Sequence, residues 1–385
     1  MRKTSTYLYV FLLLLASCRE PFNPEIEPTD LKVLVVEGYL DTEGIPSILN
    51  LSYTRNIDAD DDFQLIYPEG TVFLESESGA QFPLTSLGNG SFEFSEDIPE
   101  DQIYRLKIFL NDGSSYSSEQ IQPIITPEII DVGFERNENG VEVYLTTKGD
   151  QNADDFLWTF EEAYAFRPKI PTAYRYDPDR KTVVLATEEF RTDLCYREVS
   201  SSDLILETSS RFEDQYVFRQ SILQIPRGDE RLTVRYTIEI SQKALDKNAS
   251  EFWEVMRKNT DDLGSIFSPL PSNIGGNFVN DQDPSAPVVG YLSLGTVRQR
   301  RLWIDFRDVI PWGVAEVEDY FGCIAEGDTV EIPDYESAFK TGSYTPAIPI
   351  YCDTCYEPIG FRKAERRCTD CTLRGSNVKP DYWED

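Results

Sequence analysis

The sequence predicts a mainly β protein. An immunoglobulin-like or prealbumin-like β-sandwich comes first, followed by a larger β-sandwich-type domain with one amphipathic helix. Three observations predict this. Short apolar or alternating runs recur between Gly, Asp and Asn turn signals, as in antiparallel sandwiches. Aromatic side chains are abundant, with 21 Tyr and 22 Phe against 2 Met, and such residues suit pleated, half-buried surfaces. Helical spacing of apolar residues is sustained in a single stretch after the N-terminal apolar run.

Residues 1–17 read as a secretory signal. Arg2 and Lys3 precede an apolar run from Tyr7 to Leu15, which closes on Leu15-Ala-Ser-Cys18. The run is too short to cross a hydrocarbon core of about 30 Å. Cys18 stands at the cut itself and resembles a bacterial lipobox, in which the thiol takes a diacylglycerol and the new amine is acylated. One acyl chain holds a protein weakly; two or three hold it firmly. Cys18 is therefore the expected lipid-attachment site. An Asp after the lipid Cys is an inner-membrane retention cue, and Arg19 stands there instead. The expected address is the outer membrane, on its periplasmic or its outward face. Residues 18–30 form a tether in which Pro21, Pro24 and Pro28 favour an extended chain, reaching up to about 35 Å.

The first sandwich is expected over 31–122. Leu31 to Tyr39, Ile48 to Tyr53, Thr71 to Glu75 and Ser91 to Phe94 are strands; Ile103 to Leu110 turns through Asn111-Asp-Gly113 into Ser114 to Ile121. Pro123 to Pro127 reads as a linker. The second domain is expected over 125–310, with strands Ile129 to Glu135, Val141 to Thr147, Phe156 to Phe160 and Leu232 to Ile240. Phe166 to Phe218 shows no clear period. Ala244/Leu245, Ala249, Phe252/Trp253 and Val255/Met256 form one apolar stripe, predicting a helix over 242–258 that faces a core. Val288 to Val297 and Arg301 to Phe306 read as a closing hairpin. Residues 311–385 are expected to form an irregular, Cys-rich tail packed on the second domain.

The formal charge is −32 and the chain has no His. The charge disfavours nucleic acid and anionic headgroups as partners. Without His there is no Ser-His or Cys-His pair and no imidazole metal ligand. No nucleophile elbow, phosphate-cradling loop or dinucleotide fingerprint is present. No catalytic residue is expected, and the chain reads as a non-enzyme. A hydrolase would need two carboxylates facing each other roughly 5–10 Å apart.

Six cysteines remain: Cys195, Cys323, Cys352, Cys355, Cys368 and Cys371. The last four have the C-x2-C spacing of a zinc ribbon, with a shorter central gap than usual. Export to an oxidising compartment favours disulfides instead. Three bridges are expected, stapling the tail to the second domain through Cys195 and Cys323; zinc at Cys352, Cys355, Cys368 and Cys371 is the alternative. No other cofactor is expected. Asp58, Asp60, Asp61 and Asp62 are a weak calcium candidate, since Ca2+ takes six to eight oxygens, and Asp281 and Asp283 are another. Both read first as solvated acidic loops.

Several stretches together resemble a family of uncharacterised outer-membrane lipoproteins, the one numbered 4249 among domains of unknown function. They are Leu34-Val-Val-Glu-Gly38, Cys195-Tyr-Arg-Glu-Val199, Phe252-Trp253, Lys258-Asn-Thr260 and Leu263-Gly-Ser-Ile-Phe267. Pro287-Val-Val-Gly-Tyr291, Cys368-Thr-Asp-Cys371 and Lys379-Pro-Asp-Tyr-Trp383 complete the set. Cys352-x2-Cys355 lies outside that pattern. The resemblance implies a lipoprotein that accompanies a TonB-dependent receptor, a β-barrel transporter of the outer membrane. A surface glycan binder or cation-dependent adhesin is the alternative, because Tyr and Trp rings stack on sugars.

Overall fold

The computed structural model describes residues 32–54, 67–201, 203–261, 275–312 and 317–384. The first eight strands are β1 (Leu34–Asp41), β2 (Ser47–Tyr53), β3 (Gly70–Ser76), β4 (Gln81–Pro83), β5 (Thr85–Gly88), β6 (Ser91–Phe94), β7 (Tyr104–Leu110) and β8 (Ser115–Ser118). Alternation along them turns every second side chain inward. Val36, Leu51 and Phe92 from one sheet meet Leu74, Leu106 and Ile108 from the other. Burying each such side chain contributes roughly 1.5–3 kcal/mol.

The second body uses β9 (Ile129–Arg136), β10 (Gly140–Lys148), β11 (Asp155–Phe166), β12 (Tyr174–Asp177), β13 (Thr182–Leu185), β14 (Cys195–Ser200), β15 (Ile205–Thr208), β16 (Tyr216–Pro226) and β17 (Arg235–Leu245). A three-stranded sheet in the order β16-β10-β9 faces a larger one built on β11 and β17. Val143, Leu145, Phe156, Trp158, Tyr236 and Ile240 fill the space between them. The stretch 166–218, which lacks a legible period, holds β12 to β15.

Helix α1 spans Lys247–Asp261, so the helix expected over 242–258 starts five residues late. Gln242 to Leu245 instead continue β17 in register with β11. Asp246 makes the break: its Oδ1 accepts from the Ala249 amide at 2.8 Å, as an N-cap does.

After α1 come β18 (Phe278–Asn280), β19 (Val288–Gly295) and β20 (Val297–Asp305). The expected hairpin between the last two does not form. β19 pairs in parallel with β1, and β20 pairs antiparallel with β17. Thr296 alone separates them, and the chain crosses there from one body to the other. β18 joins β8. The first sandwich is thus completed by residues 278–295 into two five-stranded sheets, β19-β1-β2-β6-β5 and β18-β8-β7-β3-β4. The second domain is accordingly interrupted within the contiguous span 125–310 expected for it. Gly290 permits the return: at φ +130, a Cβ there would stand 1.8 Å from the Val36 carbonyl oxygen.

The waist between the bodies is densely bonded. Thr126 of the linker and Thr296 exchange two hydrogen bonds, at 2.8 and 2.5 Å. Buried Asp41 accepts from the amides of Glu43, Ile45 and Val297 at 2.7–2.9 Å. Tyr39, Leu157, Leu245, Ala249 and Tyr291 form a separate apolar cluster across the junction. Each group that leaves the waist would abandon a buried polar partner, so the two sandwiches are held as one unit.

The tail is not irregular. β21 (Thr329–Glu331), β22 (Tyr344–Ile350) and β23 (Gly360–Glu365) form a sheet in the order β21-β23-β22. Pro346 and Pro349 mask β22 in the sequence; as an edge strand it tolerates them. The β12-β13 hairpin packs here too, with Tyr174 against Phe361 at 4.7 Å between ring centroids.

Candidate functional site

Three disulfides organise the C-terminal segment: Cys195–Cys371, Cys323–Cys368 and Cys352–Cys355. Cys195 opens β14, so the first bridge ties the tail to the larger sheet. It closes a loop 176 residues long, and the second bridge a loop of 45. Loop-closure entropy makes these worth about 5 and 4 kcal/mol. Trp383 then docks beside them, 5.0 Å from the rings of both Tyr196 and Trp303. On the same face, burial and a hydrogen bond to Glu198 push the Tyr382 phenol up to about 12.

The third bridge spans three residues and contributes about 2 kcal/mol on the same scale. Its effect is local: it closes the tip of the β22-β23 hairpin. Residues 351–359 form that tip, and Ile359 returns to Ile350 through a 2.8 Å backbone bond. Tyr356 is 100% exposed, and Tyr351 and Ile359 are also exposed. Tyr351 shares a 3.2 Å hydroxyl contact with Tyr174, and that bond with burial pushes the Tyr174 phenol up. The tip therefore presents aromatic and aliphatic side chains on a covalently fixed loop.

A cleft of about 790 Å³ opens at the junction of the two sandwiches. Its floor is the outer face of the larger sheet, with Thr159, Ser241, Lys243 and Gln299. Glu37, Tyr39 and Asn50 of the first sandwich form one wall, and Leu204, Trp253 and Met256 form the other. Lys243 Nζ donates to Thr159 Oγ1 at 3.3 Å and lies 5.9 Å from the centre of the Tyr39 ring. Burial pushes its amine below the ordinary lysine value, with Glu161 opposing the shift. The Tyr39 phenol is pushed up, chiefly by burial.

The chain matches the domain of unknown function DUF4249 over residues 19–301. It belongs to that family. No curated protein matches it. Among solved structures, a two-fibronectin-type-III-domain segment of chicken tenascin is 13% identical, covering 55% of this chain and 90% of its own, with a TM-score of 0.16. A structure described as complete manganese lipoxygenase of Gaeumannomyces graminis with part of zonadhesin of Komagataella pastoris is 8% identical. It covers 57% of this chain and 91% of its own, with a TM-score of 0.12.

In this DUF4249 chain the zinc alternative fails on geometry. Cys352 and Cys355 bond to each other, while Cys368 and Cys371 bond to Cys323 and Cys195, so no four-sulfur site assembles. Cys18 and the group Asp58, Asp60, Asp61 and Asp62 lie outside the described residues. Asp281 accepts from Ser117 Oγ at 2.6 Å, and Asp283 accepts from the amide and hydroxyl of Ser285. Both carboxylates serve loops, and no metal-holding group of three occurs among the described residues. The apolar spacing over 242–258 puts Lys243 on a helix, whereas the structure sets it on β17, and this is why the sequence does not show the cleft. The alternation of Tyr236, Ile238, Ile240, Gln242 and Ala244 on the inward face, broken by Asp246, is the signal that reassigns it.

Proposed function

We propose that the protein is a lipid-anchored, non-enzymatic subunit that works beside a β-barrel transporter of the outer membrane. The observation that carries this reading is the hairpin tip at 351–359. A fully exposed tyrosine on a loop closed by its own disulfide contributes little to the fold. Pre-ordering a contact loop does lower the entropic cost of binding a partner. The lipobox ending at Cys18 and the proline-bearing tether support the membrane placement, and the resemblance supports the choice of partner.

The experiment is site-specific photo-crosslinking from position 356 in intact cells, followed by mild detergent extraction. A crosslinked product the size of a large β-barrel is expected, and Cys18→Ser should abolish it by releasing the protein from the membrane. A protein that runs alone from position 356, while remaining membrane-bound, would overturn the reading.

A second reading is a surface glycan binder. It is favoured by Tyr216 and Phe218 on β16, whose rings stack at 6.2 Å and 19°; Phe218 is 66% exposed. Such paired rings suit the apolar face of a sugar. Glycan-array binding that Phe218→Ala removes would support it.

A further inference from the structure

We infer that the Cys352–Cys355 bridge is a thiol–disulfide exchange site, opened by the dithiol of a thioredoxin-type protein while the other two bridges stay closed. The inference concerns the chemistry of the hairpin tip and holds whether or not that tip touches a transporter.

The bridge adds little to the hairpin that carries it. β22 and β23 are already paired from Tyr344 and Glu365 to Ile350 and Gly360, and the Ile359 amide donates to the Ile350 carbonyl at 2.8 Å. Within the tip the Cys355 amide donates to the Cys352 carbonyl at 3.1 Å, so the turn has a backbone bond of its own. Opening this S–S bond releases no strand. The other bridges join parts 176 and 45 residues apart.

Access separates the three. Exchange requires a thiolate to reach one sulfur and the other sulfur to leave as a thiolate. Cys195, Cys371 and Cys368 are all buried. Attack at the half-buried Cys323 would expel the Cys368 thiolate into the interior, where burial disfavours the charged form. Cys352 and Cys355 are both half-buried, so either sulfur can be reached and either can leave toward water.

The geometry also orders the two sulfurs. Thr354 Oγ1 stands 3.8 Å from Cys352 Sγ. A disulfide sulfur carries no hydrogen, so the hydroxyl is the donor, and it can stabilise charge developing on Cys352. Cys355 Sγ has no such donor among the described residues. The entering thiolate therefore attacks Cys355 Sγ. The S–S bond breaks, its electron pair leaves on Cys352 Sγ, and a mixed disulfide forms at Cys355. The second thiolate of the entering protein then attacks its own bonded sulfur and expels the Cys355 thiolate. Two electrons and two protons pass in all: the tip becomes a dithiol and the entering protein a disulfide.

The surroundings favour a protein over glutathione. Tyr356 is 100% exposed, and Tyr351 and Ile359 are also exposed, giving the bridge an apolar rim for another protein's surface. Asp353 lies between the cysteines and Glu357 follows them, both exposed. Their carboxylates repel glutathione, which is an anion at neutral pH.

The test uses the full mature chain in detergent with reduced thioredoxin or dithiothreitol, each bridge being followed by alkylation and mass spectrometry. Thioredoxin should open Cys352–Cys355 at least about tenfold faster than either other bridge. Thioredoxin whose second active-site cysteine is changed to serine should be trapped on Cys355. Tyr356→Ala should slow opening by thioredoxin severalfold and leave opening by dithiothreitol unchanged. A Cys352–Cys355 bridge that opens no faster than the other two would overturn the inference. So would a complex trapped on Cys352, or a Tyr356→Ala protein that thioredoxin opens as fast as the parent.

Discussion

Arg374 of the C-terminal segment grips Glu230 of the second sandwich with both prongs of its guanidinium: Nη1 and Nη2 each donate to one carboxylate oxygen at 2.7 Å. The side chains are only 16% and 13% exposed, and the guanidinium lies over the rings of Tyr320 and Phe166. The pair is a clamp that works beside the Cys195–Cys371 bridge.

Arg374→Ala should therefore destabilise the protein by about 2–4 kcal/mol, because it strands a largely buried carboxylate. Arg374→Lys should recover only part of this, since an ammonium cannot make the parallel pair. Urea unfolding of the two variants checks the ranking. An Arg374→Ala protein within about 0.5 kcal/mol of the parent, the range of ordinary surface changes, would show that the clamp is decorative.

The disulfides should separate by loop length. Removing Cys195–Cys371 by paired Ala substitutions is expected to lower stability by several kcal/mol and to free the tail to proteases. Removing Cys352–Cys355 the same way should cost no more than about 2 kcal/mol. Limited proteolysis should then cut within 351–359 and spare the two sandwiches. Equal losses of melting temperature in both variants would contradict the local role given to the short bridge.

Local signals account for β1 to β3 and β6 to β8 of the first body and for β9, β10, β11 and β17 of the second, while β12 to β16 carry no legible period and long-range partners are hidden altogether. Leu34 pairs with Val288 across most of the chain, and no turn residue or periodicity at either end announces that contact. Val288 to Phe306 resembles a hairpin because two β runs lie close together. In the structure the second run begins at Val297, and the single residue Thr296 left between the strands is too short a connection to reverse the chain. The disulfide framework is legible as an even set of six cysteines, but their pairing depends on how the tail folds over β14. The cleft was hidden for a different reason. Ala244 and Leu245 fit both a strand face and the apolar stripe of a helix, and only the capping contact of Asp246 divides the two.

Gln242 tests the waist. Its Oε1 accepts from the Trp158 indole at 2.9 Å, and its Nε2 donates to the Pro127 carbonyl at 2.7 Å and to Thr147 Oγ1 at 3.1 Å. The amide thus satisfies one buried donor and supports the linker carbonyl. Gln242→Leu should cost about 2–4 kcal/mol, since each stranded buried group costs about 1–3 kcal/mol. Gln242→Glu should fare no better, having lost both N–H donors. Chemical denaturation measures the cost, and a neutral Gln242→Leu would mean that water replaces the amide.

The last prediction concerns pH and Lys243. Its amine is pushed below the ordinary value of 10.5 by burial, while the unfolded chain keeps that ordinary value. At neutral pH both states carry the proton, and the folded state bears the full desolvation cost. As pH rises through the folded-state value, the folded amine releases its proton first. The unfolded state then binds more protons, so stability rises with pH in that window and the cost has vanished above 10.5. Lys243→Met removes the titration. The variant is expected to be more stable than the parent at pH 7, with the gap narrowing as pH climbs toward 10.5. Tyr39, whose phenol is pushed up by burial, acts in the opposite direction at high pH, but it is common to both proteins and cancels in the difference. Urea unfolding of both at several alkaline values reads the gap directly. A gap that stays constant would mean that the Lys243 head group is hydrated like a surface lysine.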